Sequence, residues 1–259
     1  MANFLKNIFT KNGKLSTDEL IVKKTIISFF FFIVLMGAGF WGWKWLRHQP
    51  ETANGTRQPL RNVLDMNESL FRKILSNRHL SKEYSEADAV KKVRVNGDVG
   101  LKSKFDTSSW RLYVIRKNGD TLTLKLDDIK KLPKTDIVFD FKCIEGWDQV
   151  THWAGVKFSD FVKAYGLTGE TQMKYVGMST PDKQYYVGID MPSILHPQTI
   201  LCYEMNGQPL PLNQGYPLRL IIPVKYGIKH LKRIGTIYFS NNRPPDYWFE
   251  RGYDYYSGL

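Results

Sequence analysis

The chain has 259 residues, 42% hydrophobic and 14% aromatic, with only two cysteines and a formal net charge of +12. That composition excludes a disordered chain and a disulfide-stapled scaffold, and it leaves room for one large folded body or two small ones. Nine Lys/Arg and three Asp/Glu fall in the first 62 residues, while the rest carries 28 and 22; with no nucleic-acid motif alongside, the charge points to anionic lipid near the N-terminus and an anionic ligand in the body.

Residues 25–43 form an uncharged run of 19 residues. As a helix it would rise about 28 Å, close to the hydrocarbon thickness of a bilayer. Lys23 and Lys24 close one end, Lys44 and Arg47 the other, and Trp41, Trp43 and Trp45 stand where an interfacial belt belongs. A core helix would carry polar positions over such a length, and a cleaved signal would be shorter with a small-x-small site after it. The expectation is an uncleaved single-pass anchor over residues 25–46, preceded by a cytoplasmic tail, 1–24. Lys6, Lys11, Lys14, Lys23 and Lys24 on one side nearly balance Lys44, Arg47, Arg57 and Arg61 on the other, and lean slightly toward a cytoplasmic N-terminus.

Residues 47–59 are polar, with Pro, Gly and Asn, and read as a linker. Leu60, Val63, Leu64, Leu70, Phe71, Ile74 and Leu75 recur at helical spacing and predict an amphipathic helix, to be packed on the body (the commoner fate) or laid on the membrane. The period then shortens. Residues 110–115 and 121–126 read as strands joined by the turn Asn118-Gly119-Asp120, and a short helix over 127–132 stops before Pro133. A strand over 137–141 leads into Cys143, and a helix over 157–165 ends at Gly166. Further strands are predicted over 174–178, 184–189, 219–223 and 235–239. The body, 60–259, is thus expected to be α+β and β-rich, with long loops of the kind that carry function.

Cys143 ends a strand and precedes a Gly146-Trp147 turn. The ordinary fate of a single thiol is a small buried hydrophobe. Other readings stay open: one ligand of a metal whose remaining ligands come from a cofactor, a nucleophile with His152, His196 or His230 as base, or a disulfide with Cys202. A cysteine-only zinc or iron–sulfur site fails on ligand count. From Gly215 to Lys232 a strand containing Arg219 is followed by a Gly227 loop with Lys225, Tyr226, Lys229, His230 and Lys232. Such a loop suits an anion, although most charge runs are simply solvated. It lacks the spacing of a nucleotide-binding phosphate loop, and no Gly-x-Ser-x-Gly elbow occurs. Tyr247, Trp248, Tyr253, Tyr255 and Tyr256 crowd the C-terminus and are expected to pack over the body.

Three segments together carry a resemblance: Phe141 to Trp147 with Trp153-Ala154-Gly155-Val156, then Met205 to Leu210, then Arg219 with Lys225-Tyr226-Gly227. In this order they resemble the molybdopterin-binding domain of the sulfite oxidase superfamily, including the bacterial methionine sulfoxide reductase catalytic subunits. The resemblance implies a β-rich fold of that type and a molybdenum-molybdopterin cofactor, one pterin per chain. Cys143 would be the protein's thiolate ligand and catalytic residue. Cofactor contacts would come from Asn67, Thr180 (or Ser179), Gln214, Arg219, His230, Leu231 and Lys232, with the basic loop holding the pterin's terminal phosphate. Gln214 stands where the reductases have Asn. The resemblance further implies two-electron oxygen-atom transfer on a small substrate, a sulfoxide or sulfur oxyanion. With no haem or dimerisation segment recognised, electrons would come from a separate membrane b-type haem protein. The body would then be periplasmic at a bacterial cell membrane, although Lys23-Lys24 stands where an export twin arginine would. The rival reading is a non-catalytic membrane-tethered module that retains the fold.

Overall fold

The computed structural model describes residues 16–74 and 79–258. The predicted positions Lys6, Lys11, Lys14 and Leu75 lie outside them. The described chain divides into two units, one of residues up to 61 and one formed chiefly by Asn62 onward.

The first unit is dominated by α1 (Thr17–Arg47), 31 residues with none buried. Its start is fixed by a capping box. The Ser16 hydroxyl accepts from the Glu19 N–H at 3.3 Å, and the Glu19 carboxylate accepts from the Ser16 N–H at 2.8 Å. Asp18 and Glu19 sit in the first turn and Lys44 and Arg47 in the last, each favourable to the helix dipole. The helix is apolar all round, so no stripe separates a core side from a wet side. A second helix, α2 (Gln58–Ile74), begins in this unit and continues into the body.

The body is built on two five-stranded sheets. The first has the order β2 (Thr121–Leu124), β1 (Leu112–Ile115), β10 (Thr236–Ser240), β5 (Tyr175–Ser179), β6 (Tyr186–Asp190), antiparallel except for the β1–β10 pair. The second runs β3 (Lys134–Lys142), β4 (Asp148–Lys157), β7 (Ile200–Met205), β8 (Gln208–Pro209), with β9 (Arg219–Ile221) also on β7. Of three short helices, α3 (Leu126–Lys130) and α4 (Phe158–Ala164) pack against β4 of the second sheet, and α5 (Met191–Ile194) packs against β5 and β6 of the first.

Both sheets contribute to the main core, through Val114, Val176 and Ile237 from the first and Val156, Leu201 and Leu220 from the second. Strand alternation sends the neighbouring residues the other way. Ile200 and Cys202 of β7 and Ile221 of β9 leave the main core and join Phe139 and Trp153 in a smaller cluster. The second sheet therefore has one face sealed in the core and one face free to floor a site.

The β3–β4 hairpin is the longest pairing, nine residue pairs from Lys134↔Val156 to Lys142↔Asp148. Strand β4 and strand β7 are absent from the sequence reading. In β4 the alternation is broken where the pairing with β7 shifts register between Ala154 and Gly155. A Cβ at Gly155 would lie 2.1 Å from the Leu201 carbonyl oxygen, so only glycine lets β7 approach there.

Candidate cofactor site

Cys143 is the first residue of the five-residue turn that closes the β3–β4 hairpin. Its N–H donates to the Trp147 carbonyl at 2.9 Å, and its own carbonyl accepts from the Gly146 N–H at 3.0 Å. Gly146 supplies the left-handed conformation the turn needs, at φ +86°. The long hairpin thus presents one sulfur at the end of a rigid ladder. Cys143 is 4% exposed, and its sulfur accepts a hydrogen bond from the Asn96 amide at 3.1 Å.

The sulfur opens onto a cavity of about 330 Å³. Its floor is the free face of the second sheet, where Phe141 of β3 and Gln149, Thr151 and Trp153 of β4 recur with period two. The 93–99 segment forms one wall through Val93, Arg94, Asn96, Gly97 and Val99, and Trp147, Tyr185, Trp248 and Tyr253 complete an aromatic border. Trp153 is held by its indole N–H, which donates to the Thr151 hydroxyl at 2.7 Å.

Besides the exposed Arg94, two cations face this space without a carboxylate partner among the described residues. Arg219 is 2% exposed, lies 4.5 Å over the Trp153 ring, and donates to the Gln214 carbonyl and side-chain oxygens at 3.0 and 2.9 Å. Its Nε is buried with no hydrogen-bond partner. Burial lowers its pKa to about 10, which still leaves it charged at neutral pH. Lys232 donates to the Asn96 and Gly97 carbonyls at 2.6 and 2.9 Å. Burial, then the Arg219 charge, brings its ammonium down to about 7. A buried cation with no counter-charge is costly, and an anionic ligand removes that cost. Gln214 also donates to the Val93 and Arg94 carbonyls at 3.4 Å, so it ties Arg219 to the wall segment.

His230 lines the cavity edge-on to Phe141, ring centres 4.7 Å apart. Its Nε2 donates to the Lys225 carbonyl at 3.1 Å, which fixes the tautomer. Burial, then the Arg219 charge, pushes its pKa down to about 3, so it is neutral.

The structure thus brings together Cys143, Gln214, Arg219, His230 and Lys232 of the sequence-predicted residues, and separates the others. Leu231 is fully buried in the main core. The Thr180 hydroxyl donates to Asp182 at 2.6 Å and accepts from the Tyr185 N–H at 3.1 Å; it holds a loop that supports Tyr185. Asn67 lies on α2, which supplies no cavity-lining residue. The basic loop is divided as well. Lys225 pairs with Asp190 at 3.0 Å and Lys229 pairs closely with Asp246, all four side chains being 3% exposed or less. Of the three lysines only Lys232 reaches the cavity.

Asn96, Arg94, Tyr185, Trp248 and Tyr253 were not predicted as site residues. The Asn96-Gly97 pair was a visible turn signal in an otherwise unassigned stretch. Trp248 and Tyr253 reach the cavity, whereas Tyr255 and Tyr256 are buried in the body as expected.

The geometry narrows the readings of Cys143. Both cysteines are free thiols, so they form no bridge. His152 donates to Asp136 at 2.9 Å and His196 bonds the His79 carbonyl at 3.1 Å. With His230 held neutral by burial and hydrogen-bonded to Lys225, none of the three candidate bases is bonded to the thiol.

The chain is similar to several known proteins. A protein provisionally named protein-methionine-sulfoxide reductase subunit YedZ1, from Azospira oryzae, is 38% identical over 155 residues, 60% of this chain and 58% of that one. The protein-methionine-sulfoxide reductase catalytic subunits MsrP of Campylobacter jejuni and Ralstonia nicotianae are 30% and 32% identical, over 58% and 49% of this chain and 55% and 42% of theirs. The chain spans about half the length of these curated relatives. Among solved structures, the sulfane dehydrogenase SoxCD of Paracoccus pantotrophus superposes with a TM-score of 0.48 at 17% identity, over 54% of this chain and 40% of that one. The model of the oxidoreductase molybdopterin-binding domain matches residues 98–248, well over half of the chain, and the protein therefore belongs to that family.

Proposed function

We propose that this chain is a membrane-anchored molybdenum-molybdopterin oxidoreductase that removes oxygen from a sulfoxide or a related sulfur oxo-compound. One observation carries the reading: the Cys143 sulfur lies in a cavity lined by two cations, the buried Arg219 and the half-buried Lys232, that have no carboxylate partner among the described residues. A cofactor that brings its own sulfur ligands and carries a phosphate needs one protein thiolate and positive charge, and the cavity lining supplies both.

Each side chain then has a task. Cys143 would hold the metal. The Asn96 amide, donating to the same sulfur, would orient it and withdraw electron density from it. Arg219, oriented by Gln214, and Lys232 would hold the phosphate end, while Phe141, Trp147, Trp153, Trp248 and Tyr253 restrict water. Tyr185 donates to the Ile228 carbonyl at 2.6 Å, and burial raises its pKa, so it stays protonated. When bound, the cofactor supplies two-electron oxygen-atom transfer. Over a full turnover a sulfoxide, two electrons and two protons give a sulfide and water. The electrons would come from a separate membrane b-type haem protein. The relatives' names favour a methionine sulfoxide, free or within a protein, among the sulfur substrates.

The N-terminal helix α1 supports the anchor: 31 residues, with mean hydropathy 2.1 in its most apolar stretch. Its slight excess of preceding cations favours a periplasmic body.

Molybdenum per chain, measured on detergent-solubilised protein from a host that makes the cofactor, tests the proposal. The expected ratio is near one, and a ratio near zero overturns it. Cys143→Ala should abolish sulfoxide reduction with little change in thermal stability; unchanged turnover would remove the thiolate role.

A further inference from the structure

Helix α2 is amphipathic in the inverted sense. Its acidic residues face the folded body: Arg243 donates to Asp65 at 3.1 Å and pairs closely with Glu68, which is 2% exposed. Leu64 and Asp65 are half-buried on the same side. The apolar residues point the other way. Leu60, Val63, Met66, Leu70 and Ile74 are all exposed, Met66 at 63% and Leu70 at 54%. Their spacing of three and four places them along one stripe of the helix. Phe71 borders the stripe and stacks on Tyr256, ring centres 6.3 Å apart. A helix that turns its acids to the body and exposes a continuous apolar stripe is covered by something else.

Chain continuity says what covers it. α1 ends at Arg47 and α2 starts at Gln58, and the intervening residues 48–57 reach at most about 35 Å even when fully extended. The start of the stripe is therefore confined to the neighbourhood of whatever surface α1 emerges from. Lys44 and Arg47 at the end of α1 and the exposed Lys73 beside the stripe add positive charge suited to anionic headgroups, whereas Asp65 and Glu68 are taken by Arg243.

We infer that α2 lies in the headgroup layer of the bilayer that α1 crosses, with Leu60, Val63, Met66, Leu70 and Ile74 inserted among the lipids. The occupant is an anionic lipid surface. The body is thereby held to the membrane at two points, a spanning helix and an interfacial one, and the catalytic unit is not a free domain on a flexible tether. The inference rests on the anchor reading only for bringing α2 to the bilayer.

The test uses the full chain in vesicles of equimolar phosphatidylcholine and phosphatidylglycerol, with a photo-cross-linking amino acid at Leu70, at the exposed polar-side Ser69, or at Phe31 within α1. Position 70 should give lipid adducts at least several-fold more often than position 69. Equal yields, no lipid adduct at 70, or adducts at 70 to protein in place of lipid would overturn the interfacial helix. The Phe31 position reads the anchor separately. Adducts at 31 without adducts at 70 sink only the interfacial helix, and adducts at 70 without adducts at 31 sink only the spanning anchor. Met66→Glu with Leu70→Glu should remove lipid adducts from a probe at Val63 while molybdenum per chain stays unchanged; persistence of those adducts would also overturn the inference.

Discussion

The Asn96 amide reaches the Cys143 sulfur at 3.1 Å, and a hydrogen bond of that kind withdraws electron density from a metal-ligating sulfur. Asn96→Ala should therefore keep the metal but lower its reduction potential, which a spectroscopically monitored redox titration measures. Lys232 makes a second prediction, one with a sign. Its pKa is brought down to about 7, chiefly by burial, so the ammonium is present below that value and lost above it. Affinity of the cofactor-free chain for molybdopterin should then weaken as pH rises through about 7. Lys232→Ala should flatten that dependence and cost roughly tenfold in affinity, the worth of one charge-assisted hydrogen bond. Equilibrium binding across pH checks both. His230 gives a third effect. Its folded pKa, about 3, lies below the ordinary 6.5, mainly through burial. Its contribution to stability is thus full above pH 6.5 and is lost as pH falls toward 3. A denaturation series should show stability declining across that window, and His230→Gln should remove part of the slope.

At the scale of elements, the site rests on a sheet whose β4–β7 pairing glycine makes possible. Gly155→Ala would drive a methyl group into the Leu201 carbonyl, 2.1 Å from the added carbon. The clash lies with backbone, so β4 and β7 must separate, and a loss of about 2–4 kcal/mol is expected in chemical denaturation. The loop after β9 holds two different kinds of lysine. Lys229, buried against Asp246 and the Gly188 carbonyl, anchors the loop; Lys229→Met leaves a buried carboxylate unpaired and should destabilise by about 3–5 kcal/mol. Lys232→Ala, at the cavity, should weaken the cofactor and leave the melting temperature of the cofactor-free chain nearly unchanged. The contrast separates a structural lysine from a ligand-facing one, and sequence shows both as the same residue in one basic run.

At the scale of the whole molecule, the chain joins an apolar helix long enough to cross a membrane to a two-sheet body whose candidate site lies on one face of the second sheet. Full-length protein should stay in the membrane pellet through alkaline carbonate extraction, and protease added to intact cells with a permeabilised outer membrane should reach the body. Recovery in the supernatant would argue that α1 is a removed leader.

The apolar N-terminal helix and most of the first sheet were legible in sequence, because each rests on a local pattern: an uncharged run of membrane length, and short alternating strands set off by turns such as Asn118-Gly119-Asp120. Cys143 and Arg219 were legible because a lone thiol after a strand and an arginine within an apolar strand are locally unusual. Strands β4 and β7 were not, since their residues follow the needs of neighbours distant in sequence. Gly155 answers to the Leu201 backbone, and Trp153 answers to the Arg219 that stacks on it. Sequence by itself determined the composition of the site, one sulfur donor and an excess of cations, together with its attachment to an apolar helix. Tertiary structure alone decided which cations face the cavity. Lys225 and Lys229 meet carboxylates brought from β6 and the C-terminal segment, Arg219 and Lys232 meet none among the described residues, and that pairing is settled by long-range packing.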